Sequence, residues 1–294
     1  MDGDRLRANL AASIDADLTR LHAPERERQC HEALQIPGAG PDDYRQRCIE
    51  IDGELLIADI AFLGLDRTRP FVHVPHRTLA IESNAVRDAV RDLLASEFAC
   101  FHPQRVSLPQ SSHASYQFDG CEQDMRLVGA PLSVIRASEV TGLSSLRLQP
   151  VEDFNWYERY CAAYDTAHRD RPNIKDVATC ESVEYFEAMM DSGEVFEVLV
   201  DDAWAGIYAL EPDRRGGMDG FLVGECLLAE HARGRRLGPA MHVAWARGAS
   251  DVPDDSCLFG TIGGVNRAAL RAAKDAGRVD LGGNYWIDVP SSGR

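Results

Sequence analysis

Apolar positions along this chain recur in two rhythms. In the first stretch Leu6, Leu10, Ile14, Leu18 and Leu21 fall three or four apart, the period of an amphipathic helix. Pro37, Gly38, Gly40 and Pro41 then mark a loop. Beyond it the rhythm changes: Cys48-Ile51 and Leu55-Leu63 are β-prone runs that meet at Asp52-Gly53, a dipeptide suited to a tight hairpin. A third short strand is expected in RPFVHVPHRT and a further one in RVSLPQ. Between them lies a helix near Ile81-Phe98, with Ile81, Ala85, Val86, Ala89, Val90, Leu93 and Leu94 on its apolar face.

The second half runs in the same order. SSLRLQPV reads as a strand, EDFNWYERYCAAYDTAHRD and ESVEYFEAMMDSG as helices, EVFEVLVDDAWAGIYALEPD as a hairpin turning at Asp201-Asp202, and GFLVGECLLA as a strand. Leu237, Ala240, Met241, Ala244 and Trp245 then define one buried helical face. CLFGTIG is a strand, and NRAALRAAKDAG is a last helix with Gly277 as its stop. Matching Asp52 with Asp201 aligns the elements of the two halves. The chain therefore reads as an α/β (α+β) protein of two tandem units, 1–140 and 141–294, the alternative being chance recurrence of a common order.

Composition narrows the partners. A formal net charge of -16 argues against nucleic acid, whose binders need a basic footprint to neutralise phosphates. No 18-residue apolar run predicts a membrane span. The eight cysteines form no C-x-x-C pair and read as reduced, packed thiols, and the acidic start does not resemble a targeting peptide, so a cytoplasmic location is expected. His73 and His76 have the spacing of a metal pair but no evident third ligand, and no metal site is assigned.

Chemistry concentrates in RGRRLG, which follows a strand and opens a helix. The first N–H groups of a helix lack intrahelical acceptors and sit at the positive end of its dipole, which suits a phosphate. Gly234 and Gly238 admit close backbone approach, and Arg233, Arg235 and Arg236 offer charge-assisted bonds. Further on, Asn266 opens a second helix directly after a strand. In Arg233, Gly238, Asn266 and Ala269 the chain resembles the GNAT superfamily of N-acyltransferases, whose cofactor loop runs R/Q-x-x-G-x-G/A and whose later helix begins N-x-x-A/S. The resemblance covers about Ser144 to Ile287, and the first half shares only the order of elements.

That resemblance implies a mixed, mostly antiparallel sheet flanked by helices, and an acetyl-CoA or other acyl-CoA site. Leu227, Leu228 and Ala229 would bond the pantetheine arm, with Asn266 near its end. The backbone of Arg233, Gly234, Arg235, Arg236, Leu237, Gly238, Pro239 and Ala240 would surround the pyrophosphate. The implied reaction is transfer of the acyl group to an amine of a small molecule or peptide. The chain departs from the pattern twice: Arg236 stands where the first glycine usually sits, and Ala273 where many members carry a tyrosine that protonates the leaving thiolate.

Glu225, flanked by Val223, Cys226 and Leu227, is a candidate base, or else an outward strand residue paired with an arginine. Tyr285 is a candidate acid, or else a core residue with a wet tip. Cys226 reads as a packed thiol, and His231 and His242 as surface residues unless they touch the cofactor. The first half lacks glycine in PHRTLAIESNA, and Glu82 would repel a phosphate there, so a cofactor site is not expected in it. Two other readings are a non-catalytic coenzyme A sensor or scaffold and a tRNA-dependent aminoacyl transferase, the latter disfavoured by the charge.

Overall fold

The computed structural model describes residues 24–118 and 120–290, with positions 11, 14, 15 and 19. The amphipathic helix expected over Leu6-Leu21 lies outside the described residues except that Ala11, Ile14, Asp15 and Thr19 are helical. The elements, in chain order, are α1 (Pro24–Leu34), β1 (Arg47–Ile51), β2 (Glu54–Phe62), β3 (Pro70–Arg77), α2 (Asn84–Glu97), β4 (Arg105–Ser111), β5 (Glu122–Pro131) and α3 (Leu132–Ala137). They continue with β6 (Leu146–Pro150), α4 (Tyr157–Asp170), α5 (Val183–Ser192), β7 (Glu194–Val200), β8 (Ala203–Arg215), β9 (Met218–Leu228), α6 (Leu237–Gly248), β10 (Cys257–Gly263), α7 (Arg267–Asp275) and β11 (Val279–Asp288). The class is mixed α+β with mostly antiparallel pairing, as expected. Among the described residues no helix is long and apolar enough to cross a membrane.

The chain packs as two units, but not as the contiguous halves expected. Among the described residues, one unit is Arg126–Leu281 with Ala11; the other is 24–125 with positions 14, 15 and 19, completed by 282–290. The last strand thus returns to the first unit, where β11 pairs antiparallel with β4 from Gly282↔Ser111 to Asp288↔Arg105. Conversely, most of β5 serves the C-terminal unit. Such exchange is invisible to local periodicity, because a strand's pattern says which face is buried and not which edge it joins.

In the N-terminal unit, strand order runs β1-β2-β3-β4-β11. The β1/β2 hairpin closes at Asp52 and Gly53, both with positive φ, as a two-residue primed turn requires. The core gathers Leu56, Val72, Val90, Leu94, Phe98, Val106 and Leu108. Strands β3 and β4 are parallel and pair at Phe71↔Arg105 through His73↔Ser107. Beyond that register Arg77 ties them together: its Nε donates to the Pro109 carbonyl at 3.1 Å and its Nη2 to the same oxygen at 2.9 Å. Helix α2 is capped by Ser83, whose Oγ accepts from Val86 N–H. The gap between these parallel strands is thus stapled by Arg77, and the start of α2 is capped by its own Ser83.

In the C-terminal unit the order is β5-β10-β9-β8-β7-β6. The β7/β8 turn at Asp201 and Asp202 again has positive φ at both positions. Helices α4 and α5 cover one face, where Trp156, Tyr160, Tyr164, Phe186 and Met189 meet Ile207, Ala209 and Leu227. Helix α6 covers the other, where Leu237, Ala240, Met241 and Val243 meet Val198, Tyr208, Leu210 and Leu258. The middle of β8, Ala205 to Leu210, is buried on both sides, which is why that segment reads as a continuous apolar run.

Candidate active site

The site is built where β9 and β10 part company. They run parallel and pair only at Gly220↔Cys257, Phe221↔Leu258 and Leu222↔Phe259, yet β9 continues to Leu228 and β10 to Gly263. The β10-facing edge of 223–228 is therefore left without a strand partner. A register shift against β8 sits at the same place: Ala209 pairs with Glu225 and Leu210 with Val223, so Gly224 is a bulged extra residue. A Cβ at Gly224 would fall on Tyr185 Oη and Met189 Cε, so any larger residue there must push those side-chain ends aside. Gly224 and Cys226 are exposed although they alternate with buried Glu225 and Leu227. Solvent thus reaches the middle of the strand.

Glu225 is 6% exposed and faces α4. Its Oε2 accepts from Tyr160 Oη at 2.7 Å and Tyr164 Oη at 2.9 Å, and its Oε1 accepts from Cys226 N–H at 2.7 Å. Burial pushes its pKa up from the ordinary 4.5 to about 7; the three donated bonds pull it back and Glu181 raises it a little further. Tyr160 Oη also accepts from Glu181 N–H at 2.9 Å, which fixes the orientation of its own proton toward the carboxylate. Burial raises both tyrosines above the usual phenol range, so they act as neutral donors. The outward reading of Glu225 is thereby replaced by an inward one, with no arginine partner among the described residues. Tyr160 and Tyr164 were not singled out from the sequence, although Tyr157, Tyr160 and Tyr164 stand at i, i+3 and i+7, one face of a helix. Tyr185, whose hydroxyl borders the bulge, has its pKa pushed up to about 12 chiefly by burial. Nearby, the Cys161 and Cys180 sulfurs are 3.2 Å apart, and burial pushes the Cys180 thiol up to about 12, which denies it thiolate character at neutral pH.

The loop from β9 to α6 assigns different tasks to its three arginines. Arg233 is an internal clamp: Nε donates to the Leu228 carbonyl at 2.8 Å, Nη2 to the Ala163 carbonyl at 2.9 Å, and Nη1 lies 3.5 Å from Asp170. It holds α4 against the end of β9 and is not free for a phosphate. Arg235 pairs with Asp201 at 3.3 Å on the surface. Arg236 is exposed and is the N-cap of α6 in the left-handed region, φ 59° and ψ 30°, with no side-chain cap bond. The N–H groups of the first turn are therefore not satisfied by a cap, which suits an anion. Pro239 has no N–H to give, so its expected donor role is corrected; Leu237 and Gly238 carry the first-turn donors. Gly238 has a second duty: a Cβ there would lie 2.9 Å from Ala272 Cβ, so the glycine sets the approach of α6 to α7. Ala240 and Leu237 are buried in the core beneath the loop.

Asn266 is the N-cap of α7, its Oδ1 accepting from Ala269 N–H at 3.4 Å, a cap that does not engage its Nδ2. Ala273 is fully buried and supplies no acid. Tyr285 is corrected as well: it belongs to the core of the N-terminal unit, paired opposite Leu108 with its ring edge-on to Phe118 at 5.3 Å, and not to the unit that holds Glu225. His242 is a buried residue rather than a surface one, with Nδ1 2.8 Å from Tyr208 Oη. Exposed His231 lies 3.1 Å from the Trp204 carbonyl. His73 lies 3.4 Å from Asp59. Among the described residues no group of three or more His, Cys, Asp or Glu could hold a metal ion.

The strained cap makes a prediction. A non-glycine residue in the left-handed region costs roughly 1–2 kcal/mol, so Arg236→Gly is expected to raise the unfolding free energy by about 1 kcal/mol in a urea melt. Coenzyme A affinity should fall in the same variant if the guanidinium serves a phosphate. A variant less stable than the parent would remove the strain argument.

No family model matches the chain, and no curated protein matches it in sequence. Several solved structures are similar to it. A GCN5-related N-acetyltransferase from Kribbella flavida is 11% identical, with 92% of this chain and 96% of that chain covered and a TM-score of 0.48. A tandem GNAT protein from the clavulanic acid biosynthesis pathway is 10% identical, covering 92% of this chain and 98% of that one at a TM-score of 0.46. A GCN5-related N-acetyltransferase from Sphaerobacter thermophilus is 12% identical, with 88% and 91% covered and a TM-score of 0.47.

Proposed function

We propose that this protein is an acyl-CoA-dependent N-acyltransferase whose chemistry belongs to the C-terminal unit. The observation that carries the reading is the course of β9: it leaves β10 at a bulge, presents an unpaired edge from 223 to 228, and places a carboxylate of pKa about 7 at that bulge. An extended amide-bearing chain can add to such an edge by backbone hydrogen bonds. The residues present fit the donor: the edge of Leu227 and Leu228 for the pantetheine arm, the N–H groups of Leu237 and Gly238 for the pyrophosphate, Arg236 as the available cation, and Asn266 Nδ2 for the end of the arm.

Bound coenzyme A would supply the acyl group as an activated thioester. The chain's own part is to take a proton. As the amine nitrogen bonds to the acyl carbon and the carbon–sulfur bond breaks, Glu225 accepts the nitrogen's proton directly or through one water. The sulfur leaves as thiolate and is protonated from solvent, since no acid stands at position 273. A pKa near the working pH suits a base that must be mostly ionised yet still basic. The net charge of -16 favours a cationic acceptor such as an amine over a polyanion.

Two measurements test this. Acetyl-CoA at 100 times its dissociation constant should add about 2.7 kcal/mol of stability, read as a rise in Tm. With a panel of amines, release of free thiol should depend on both donor and acceptor. A thermal shift with no thiol release for any amine would favour a non-catalytic coenzyme A sensor; the absence of any shift would remove the cofactor assignment.

A further inference from the structure

Two arginines of the C-terminal unit are almost wholly buried, and the fold treats them differently. Arg126, 3% exposed, is paired with Asp280 at 2.8 Å. Arg278, 2% exposed, has no carboxylate partner among the described residues, and its buried Nε has no hydrogen-bond acceptor. An arginine is charged at any ordinary pH, and an uncompensated buried charge costs several kcal/mol, so an unpaired Arg278 calls for an anion that the chain itself does not supply.

Its surroundings say where that anion would come from. Arg278 follows the Gly277 stop of α7 and its guanidinium lies against β10: a Cβ on Gly260 would sit 3.1 Å from Nη2 and 3.4 Å from the Val223 carbonyl. Gly260 and Val223 are the residues just past the last β9/β10 pair, so the guanidinium stands at the floor of the gap between the two strands. The groups on which its charge acts are Tyr208, Cys226 and His242, none of them a carboxylate. Cys226 pairs opposite Tyr208 on the α6 face of the sheet and is exposed, so the gap is open to solvent beside the cation. Burial holds His242 neutral and the Tyr208 phenol protonated. The floor of the gap is therefore a lone cation among neutral polar groups.

We propose that the acyl group accepted by this site ends in a carboxylate, a dicarboxylic half-thioester such as succinyl, with Arg278 in the gap between β9 and β10 as its specificity determinant. This rests on the acyl-CoA reading above. An acetyl group would leave the guanidinium unpaired and desolvated, whereas an ω-carboxylate neutralises it and can be held by charge-assisted bonds. The carboxylate takes no part in the transfer, and the amide product carries one negative charge from it.

The test is calorimetric and needs no turnover. Coenzyme A, acetyl-CoA and succinyl-CoA are titrated into the full chain and into Arg278→Met, with malonyl-CoA and glutaryl-CoA as length controls. Wild type is expected to bind the best carboxylate-ended donor at least about tenfold more tightly than acetyl-CoA. Arg278→Met should erase that preference and leave coenzyme A affinity unchanged. Equal or tighter binding of acetyl-CoA by wild type, or a preference that survives Arg278→Met, would overturn the inference while leaving the acyltransferase reading standing. If coenzyme A itself does not bind, both fall. Should Arg278→Met fail to fold, the wild-type ratio still decides, and Gly260→Ala, whose methyl displaces the guanidinium, should lower it.

Discussion

Glu225→Gln is expected to lower turnover about 10²–10⁴-fold, the contribution of a positioned base, with donor affinity nearly unchanged. In wild type the rate should rise with pH through about 7, because the base works only when ionised and burial sets its pKa there. The variant should lose that limb. Stability supplies an independent readout. Folding raises the Glu225 pKa from 4.5 to about 7, so its contribution is fully present below pH 4.5 and is lost as pH rises through 7. The loss amounts to ~3 kcal/mol by pH 8, and a glutamine, which cannot ionise, escapes it. Denaturant melts at pH 5 and pH 8 should therefore show the variant gaining on wild type as pH rises. A variant with an unchanged pH–rate profile would remove Glu225 from the chemistry.

Gly238→Asp is expected to abolish stabilisation by acetyl-CoA. The substitution places a carboxylate in the first turn of α6, where it would itself occupy the positive end of the helix and repel a pyrophosphate. It also adds a Cβ 2.9 Å from Ala272, which overpacks the α6/α7 contact at a cost of about 1–3 kcal/mol. Gly238→Ala separates the two effects. It should lose stability by the same steric route yet keep a thermal shift with acetyl-CoA. If both variants shift like wild type, the α6 N-terminus is not where the cofactor phosphates bind, and Gly238 is a packing residue only.

Much of the site was foreseeable where it depends on local order. The segment from Gly220 through Ala240 announced a strand, a tight loop and a helix start because apolar period, glycine and proline act within a few residues. Glu225 stood out as a charge inside an apolar strand. What it faces did not, since Tyr160 and Tyr164 come from a helix more than sixty positions earlier. Arg233 matched a motif position and proved to be a clamp, because a guanidinium's partners depend on which carbonyls the fold leaves within reach. Tyr285 failed for the same reason at larger scale: the strand that carries it pairs in the other unit.

The order of most strands and helices, the two Asp-initiated hairpins and the phosphate-type helix start were set by the sequence alone, through backbone preferences that act between neighbours, whereas α1, β5, α3 and β11 were not read from it. Tertiary structure alone decided the exchange of β5 and β11, the parting of β9 from β10 at the Gly224 bulge, and the burial of Glu225 and Arg278. These depend on which distant segments share an edge or a core, and desolvation, the force that tunes both charges, exists only once that core has closed.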